Sequence, residues 1–321
     1  MAAAASLAPR LAPAPSPTAP EGPTAELAVG LLAPSARIPS RYLYDSLGSR
    51  LFELITQLPE YYLTRVECAL LGRHAPAVAE AVGARALIDL GAGNCAKSRL
   101  LLPVLRPVEY VAVDISTEFV DRALSALRLD FPDLRTRCLD ADLTADFDAA
   151  DLPQPRRLFF FPGSSIGNFD PDAAEALLKR LRRHCRDGDG LLIGIDLVKE
   201  LATLEAAYND VLGITAAFNR NVLNHVNALL GSDFDARAWR HHAFYNCARS
   251  RMEMHLLAEA PIDVAWPGGA RRFLVGEGIH TENSYKYRLD DFRALLGRAG
   301  FGSVRHWTDA DRWFAVCLAQ P

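Results

Sequence analysis

The chain has 321 residues, half of them apolar and 23% charged, the balance of a globular protein with a sizeable core in one large domain or two modest ones. A net charge of −4 without a dense Lys/Arg cluster argues against a phosphate-backbone binder, so no nucleic-acid partner is expected. No apolar run approaches the ~18 residues that a membrane-spanning helix needs. The six cysteines, none in a C-x-x-C pair, are expected as free thiols of a reducing cytoplasm.

Residues 1–24, rich in Ala and Pro, are expected to form a disordered lead-in. A secretory signal fits poorly, because there is no basic n-region and prolines interrupt the apolar stretch. From Ala86 the pattern alternates strand and helix. Ala86–Leu90 is a short apolar strand ending in a glycine turn, and a helix follows from about Lys97 to Leu105. Val108–Ile115 is a second strand, Thr117–Leu129 a helix, and Arg135–Leu139 and Arg157–Phe161 are further strands. Asp170-Pro171 is a helix start, and Leu191–Ile195 a fifth strand. Leu289–Ala299 is helical, and Val304–Trp307 and Trp313–Leu318 close the chain as two strands. Such alternation predicts an α/β fold with a doubly wound sheet and ligands at the carboxyl ends of its strands. A terminal antiparallel hairpin suits a class I, Rossmann-like methyltransferase better than a dinucleotide dehydrogenase.

Between Val198 and Lys286 the rhythm fails. Helical segments at Leu201–Leu212 and Ala216–Leu230, and β-like runs at Arg251–Leu257 and Arg272–Val275, are too much for a loop and predict a second lobe. The expected division sets residues 25–65 with 197–286 as a substrate-binding lobe, and 66–196 with 287–321 as the nucleotide-binding domain. His241-His242 and Cys247 fit no common metal spacing, and no metal is expected.

Asp89-Leu-Gly91-Ala-Gly93 sits at the first strand-to-helix junction, where the backbone must turn tightly and admit a ligand. Asp114, at the end of the second strand, is placed to accept both hydroxyls of a ribose. These features bind adenosine without naming the cofactor. Gly91, Gly93 and Ala96 also satisfy the dinucleotide pattern G-x-G-x-x-[GA], so a nicotinamide oxidoreductase stays open here. Asp89 before the first glycine, Asp142-Leu143 after the third strand, and the turn Asp187-Gly-Asp-Gly190 favour S-adenosylmethionine. Lys97 is expected to pair with the cofactor's carboxylate, the alternative being a solvent-facing lysine.

Longer runs carry a resemblance. Tyr44-Asp-Ser-Leu-Gly-Ser-Arg-Leu-Phe52, Leu58-Pro-Glu-Tyr-Tyr62, Gly163-Ser-Ser-Ile-Gly-Asn168, Asp196-Leu-Val-Lys199, Met252-Glu-Met254 and Thr281-Glu-Asn-Ser-Tyr-Lys286 resemble the histidine-specific N-α-methyltransferases of ergothioneine biosynthesis. The resemblance implies three methyl transfers from S-adenosylmethionine to the α-amino nitrogen of L-histidine, giving hercynine. It implies cofactor contacts at Asp89, Gly91, Gly93, Lys97, Asp114, Asp142, Leu143 and Gly163. Tyr61, Asn168, Tyr208, Glu282, Asn283 and Ser284 match positions that hold the amino acid, with Met254 packing on the ring. Asn168 is expected to anchor the acceptor, and Tyr44 to face its amine. If the stretch around 282 is extended, Glu282 and Ser284 lie on one side and both reach an imidazole. Asn94-Cys95-Ala96 and Leu63 depart from the family pattern. The alternative acceptor is another amino acid such as a tryptophan derivative, and the expected state is a cytoplasmic monomer.

Overall fold

The structure, a computed structural model, describes residues 22–143, 152–153 and 156–321. Residues 1–21 of the expected lead-in lie outside the described residues, whereas Pro23 and Thr24 already belong to a helix, α1 (Pro23–Leu32). β1 (Ala36–Arg37) and α2 (Ser46–Ile55) follow, and the carboxylate of Asp45 caps α2 by accepting from the Gly48 N–H at 2.7 Å. α3 (Tyr62–Val82) ends on Gly83 in the left-handed conformation. It runs through residue 65, the expected lobe boundary.

Strands and helices then alternate as the apolar runs predict. They are β2 (Ala86–Leu90), α4 (Ser98–Leu105), β3 (Glu109–Asp114), α5 (Thr117–Asp130), β4 (Arg135–Asp140), β5 (Arg157–Phe161), α6 (Pro171–His184) and β6 (Gly190–Asp196). Past β6 the helix expected over Leu201–Leu212 stops early, as α7 (Leu201–Ala206). The reason is local: Asp210 accepts from the N–H groups of Ile214 and Thr215 at 2.9 and 2.8 Å, which starts α8 (Ile214–Leu230) instead. Five strands follow: β7 (Trp239–Asn246), β8 (Arg251–Ala258), β9 (Ile262–Trp266), β10 (Gly269–Phe273) and β11 (Gly278–Tyr285). The chain closes with α9 (Leu289–Arg298), β12 (Ser303–Thr308) and β13 (Phe314–Gln320).

The main sheet has the order β12-β13-β6-β5-β2-β3-β4, with β2 to β6 parallel and β13 and β12 antiparallel at the end. This is the expected doubly wound sheet with its terminal hairpin. Its central strands bury both faces, with Leu87, Tyr110, Leu158 and Phe160 in one core and Ile88, Val111, Phe159 and Phe161 in the other. Strand order reverses between β2 and β5, which opens a crevice at their carboxyl ends. A second sheet has the order β1-β11-β8-β7, with β9 and β10 paired separately. The chain leaves the main sheet after Asp196 and returns at Tyr287, where Leu197 and Tyr287 form a parallel bridge.

One glycine sets how closely the two sheets approach. A 3-10 turn, Ser165–Asn168, leads from β5 and docks on β11. A Cβ on Gly167 would stand 2.8 Å from the carbonyl oxygen of Tyr285 and 3.1 Å from its nitrogen. Gly167→Ala is therefore expected to push the turn off β11 and to cost about 1–3 kcal/mol. Urea unfolding measures the loss, and an unchanged midpoint would show that this approach does not constrain the fold.

Candidate active site

The crevice holds a cavity of about 350 Å³ that brings together the eight residues expected to contact the cofactor. Asp89, Gly91, Gly93, Lys97, Asp114, Asp142, Leu143 and Gly163 all line it. Gly91 and Gly93 have φ of +73° and +52°, and a Cβ on either would project into open space. The turn thus needs glycine for its conformation and leaves its backbone bare to a ligand. Asp114 closes the turn by accepting from the Gly93 N–H at 3.0 Å and the Ser116 N–H at 2.9 Å.

Asp89 is the test of fit for a bound group. It is buried at the end of β2, and its Oδ2 accepts from the Ser98 hydroxyl and, at 2.6 Å, from the Tyr110 hydroxyl. Its Oδ1 is buried with no hydrogen-bond partner among the described residues. Burial pushes its pKa up to about 6, against the two hydroxyls. A buried carboxylate oxygen left unmatched beside a cavity calls for a donor from a ligand, and an ammonium supplies one. The amino-acid end of S-adenosylmethionine fits that demand.

Lys97, expected to pair with the cofactor's carboxylate, lines the cavity and already holds one partner within the protein. Its ammonium lies 2.6 Å from the carboxylate of Glu67, which is fully buried in α3. Both oxygens of Glu67 also lie 2.9 Å from the Gly163 N–H, so this acid ties α4 to the loop after β5. Sequence reasoning missed Glu67. The available signal was a charge on the apolar stripe Leu63, Glu67, Leu70 and Leu71, where a helix should bury only apolar residues. Asn94, one of the departures from the family pattern, donates to Glu53 of α2 at 2.9 Å and pins that helix over the glycine turn.

A second cavity, about 40 Å³, adjoins the first. Tyr44, Phe52, Tyr61, Gly163, Ser165 and Asn168 line both. Tyr208, Met254, Glu282 and Ser284 line only the smaller one. β11 is extended, with a register shift between His280 and Glu282, and pairs Glu282 with Met254 and Ser284 with Met252. Asn283 is not brought to this cavity. Strand alternation turns it to the opposite face, where its Oδ1 lies 2.8 Å from His280 Nε2. Asn168 Nδ2 approaches Glu282 Oε1 at 3.4 Å, a long contact. Burial raises the Glu282 carboxyl to about 7, opposed by the charge of Lys286. The phenols of Tyr44, Tyr61 and Tyr208 are also raised by burial, which keeps them neutral.

Three rings not singled out as a group pack around this cavity. Tyr44, Phe52 and Phe218 have centroids 5.6, 5.5 and 5.9 Å apart in pairs, the tyrosine edge-on to both phenylalanines. Beneath them lies a buried polar group. Asp196 accepts from Tyr62 at 2.8 Å, Lys199 at 2.6 Å and Lys286 at 2.8 Å. Of the histidines, His241 bonds Asn219 and the Tyr208 carbonyl, a structural role. Glu253, His255 and His280 come close enough to hold a metal, but Arg251 already sits 2.7 Å from the Glu253 carboxylate.

Known proteins resemble the chain over most of its length. A family model described as histidine-specific, S-adenosylmethionine-dependent methyltransferase matches residues 24–321. The chain is 37% identical over 303 residues to histidine N-alpha-methyltransferase of Mycolicibacterium smegmatis, covering 92% of this chain and 93% of that protein. It is 37% identical over 297 residues to histidine N-alpha-methyltransferase of Mycobacterium tuberculosis, covering 90% and 92%. It is also 30% identical to ergothioneine biosynthesis protein 1 of Neurospora crassa, over 88% of this chain and 33% of that longer protein. With residues 24–321 matched, the chain belongs to the histidine-specific, S-adenosylmethionine-dependent methyltransferase family.

Proposed function

We propose that the enzyme methylates the α-amino nitrogen of L-histidine three times, giving hercynine for ergothioneine biosynthesis. The observation that carries this reading is Glu282. A buried carboxylate with one long hydrogen-bond contact among the described residues, beside Ser284 and opposite Met254, suits a small polar ring. Met254 supplies an adaptable apolar wall. On this reading the two lobes bind one ligand each, with the reaction at the shared wall of the cavities.

Bound in the larger cavity, S-adenosylmethionine supplies a methyl group on a sulfonium. The chain's part is to hold the amine with its lone pair aimed at that methyl, and positioning of this kind is worth effective molarities of about 10⁵–10⁸ M. Asn168 and Tyr61 line both cavities, so they are placed to hold the amino-acid end where the cavities meet. The Asn168 amide both donates and accepts, which suits a carboxylate and an amine together. The ammonium loses a proton to solvent before each transfer, and Tyr44, neutral and lining the same junction, can accept a hydrogen bond from the N–H that remains on the neutral amine in the first two transfers. Each transfer makes the nitrogen larger, more apolar and finally permanently cationic. The faces of Tyr44, Phe52 and Phe218 favour that product, since aromatic rings attract quaternary ammonium groups. Tyr208, expected to donate to the substrate carboxylate, lines the smaller cavity with its hydroxyl 2.8 Å from that of Ser284.

A product screen tests the reading. The protein is incubated with S-adenosylmethionine and each amino acid, and triply methylated histidine is the expected product by mass spectrometry. A methylated tryptophan derivative with no histidine product would transfer the reading to the alternative acceptor. Glu282→Ala is expected to lower kcat/KM for histidine by about 10- to 100-fold, the loss of a charged hydrogen bond. Unchanged kinetics would remove the role given to Glu282.

The raised carboxyl of Glu282 has a second consequence. Its folded pKa, about 7, lies above its ordinary 4.5, so the folded state holds this proton where the unfolded chain has lost it. Its contribution to stability is full below the ordinary value and declines as pH rises towards 7. In the enzyme without ligands, Glu282→Gln removes that decline, so the variant's Tm is expected to gain on the parent's between pH 5 and pH 8, by on the order of a few degrees. A Tm difference independent of pH across that window would contradict the burial argument.

A further inference from the structure

β11 changes face in mid-strand. Its buried positions are Ile279, Thr281, Glu282 and Ser284, so the alternation holds up to Thr281, slips by one residue and resumes at Glu282. The pairing with β8 shows the cause. His280 lies opposite His255 and Glu282 opposite Met254, which leaves Thr281 as the extra residue of a β-bulge. Without that extra residue, Thr281 would stand opposite Met254, and Glu282 would stand opposite Glu253 as a like-charge pair on the outer face. The smaller cavity would then meet Thr281 and Asn283 in place of Glu282 and Ser284.

The bulge is gripped from α8. Asn219 is fully buried there, and the Thr281 hydroxyl lies 2.6 Å from its Oδ1 and 3.0 Å from the Met254 carbonyl oxygen. The Asn219 amide nitrogen lies 3.1 Å from the His255 carbonyl oxygen and 2.9 Å from His241 Nδ1. A carbonyl never donates, so the His255 oxygen must face the amide NH2, and the amide oxygen is left to Thr281. The Tyr208 carbonyl, 2.9 Å from His241 Nε2, likewise puts the imidazole proton on Nε2 and leaves Nδ1 to accept from the amide. One amide therefore holds both strands where their register shifts, β11 at Thr281 and β8 at His255.

We propose that Asn219 is a positioning residue for Glu282: by clamping Thr281 against β8 as the extra residue of the bulge, it turns Glu282 and Ser284 into the side-chain pocket. The consequence for substrate choice rests on the histidine reading above, whereas the placement of Glu282 can be read with no substrate present. Thr281→Val keeps the branched side chain and removes its hydroxyl, Asn219→Leu removes the clamp, and Thr281→Ser keeps the hydroxyl.

The test measures kcat/KM for histidine with each substitution, alone and combined with Glu282→Ala, and uses S-adenosylhomocysteine binding to confirm folding. Thr281→Val and Asn219→Leu are each expected to lower kcat/KM about 10-fold alone, the effect of a lost buried hydrogen bond. Where Glu282 is already gone, each should lower it less than about 2-fold, because the two positions act through one group. Thr281→Ser should keep most of the parent's activity. In the enzyme without ligands, the Tm gained by Glu282→Gln between pH 5 and pH 8 reports burial of the acid. On the Thr281→Val background that gain should fall to less than about half of its value on the parent.

A loss of equal size with and without Glu282 marks a general structural effect and overturns the proposal. So does a Thr281→Val enzyme with parental kinetics, a Thr281→Ser enzyme as impaired as Thr281→Val, or an undiminished Tm gain. If Asn219→Leu fails to bind S-adenosylhomocysteine, Asn219→Ala takes its place under the same criteria. A parent that leaves histidine unmethylated refutes the histidine reading, and the Tm comparison then decides the placement of Glu282 by itself.

Discussion

Asp196 lies where three parts of the molecule must agree. It is the last residue of β6, and it is fully buried. Its carboxylate takes Tyr62 from the start of α3, Lys199 from the chain leaving the sheet, and Lys286 from the chain coming back. Its backbone is used too. The N–H donates to the Ser164 hydroxyl at 2.9 Å, and the carbonyl accepts from the Tyr287 N–H at 2.9 Å. One residue thereby fixes the exit from the main sheet, the return to it, and the loop that carries Gly163 and Asn168. Leaving a buried charge without its partner costs about 3–5 kcal/mol, so this joint tolerates little relaxation.

On the proposed reading, that rigidity explains how two sheets share one reaction centre. The main sheet contributes the glycine turn and Asp89, and the second sheet contributes Met254, Glu282 and Ser284. Their separation is set by the loop from Gly163 to Asn168, clamped by Glu67 at one end and by the close approach of Gly167 to β11 at the other. Tyr44 and Tyr61 face both cavities from the segment before α3, so the N-terminal elements complete the wall that neither sheet supplies.

How much of this the sequence disclosed follows from burial. β2, β5 and β6 are buried at every position and read as continuous apolar runs between turns. β7 and β9 were not legible, because both are partly exposed and β7 carries polar residues such as His241 and His242. α3 was missed whole: Pro76 inside it argues against a 21-residue helix, and its stripe is broken by Glu67. Among the site residues, the glycine turn and Asp114 were legible because close backbone approach leaves few choices of residue. Asn283 was carried along by its neighbours in a motif, although the same alternation that put Glu282 and Ser284 together turns it away. Lys286 stood inside a quoted run without a role, since nothing in the order of residues says that it meets Tyr208, 78 positions earlier.

Three buried carboxylates show how the protein distinguishes scaffold from site. Glu67 has an ammonium and a backbone N–H, and is complete without any ligand. Asp89 has two hydroxyls on one oxygen and no partner among the described residues on the other, and its pKa is pushed up to about 6. Glu282 has one contact at 3.4 Å, and its pKa is pushed up to about 7. The order of increasing deficit follows the order of distance from structural duty. A carboxylate that is short of donors in a dry place gains most from a ligand that brings them, because each new hydrogen bond also restores the charge that burial disfavours. The protein thus leaves two cavity-lining acids incomplete by different amounts. On the proposed reading, the greater deficit sits at the position that tells one ring from another.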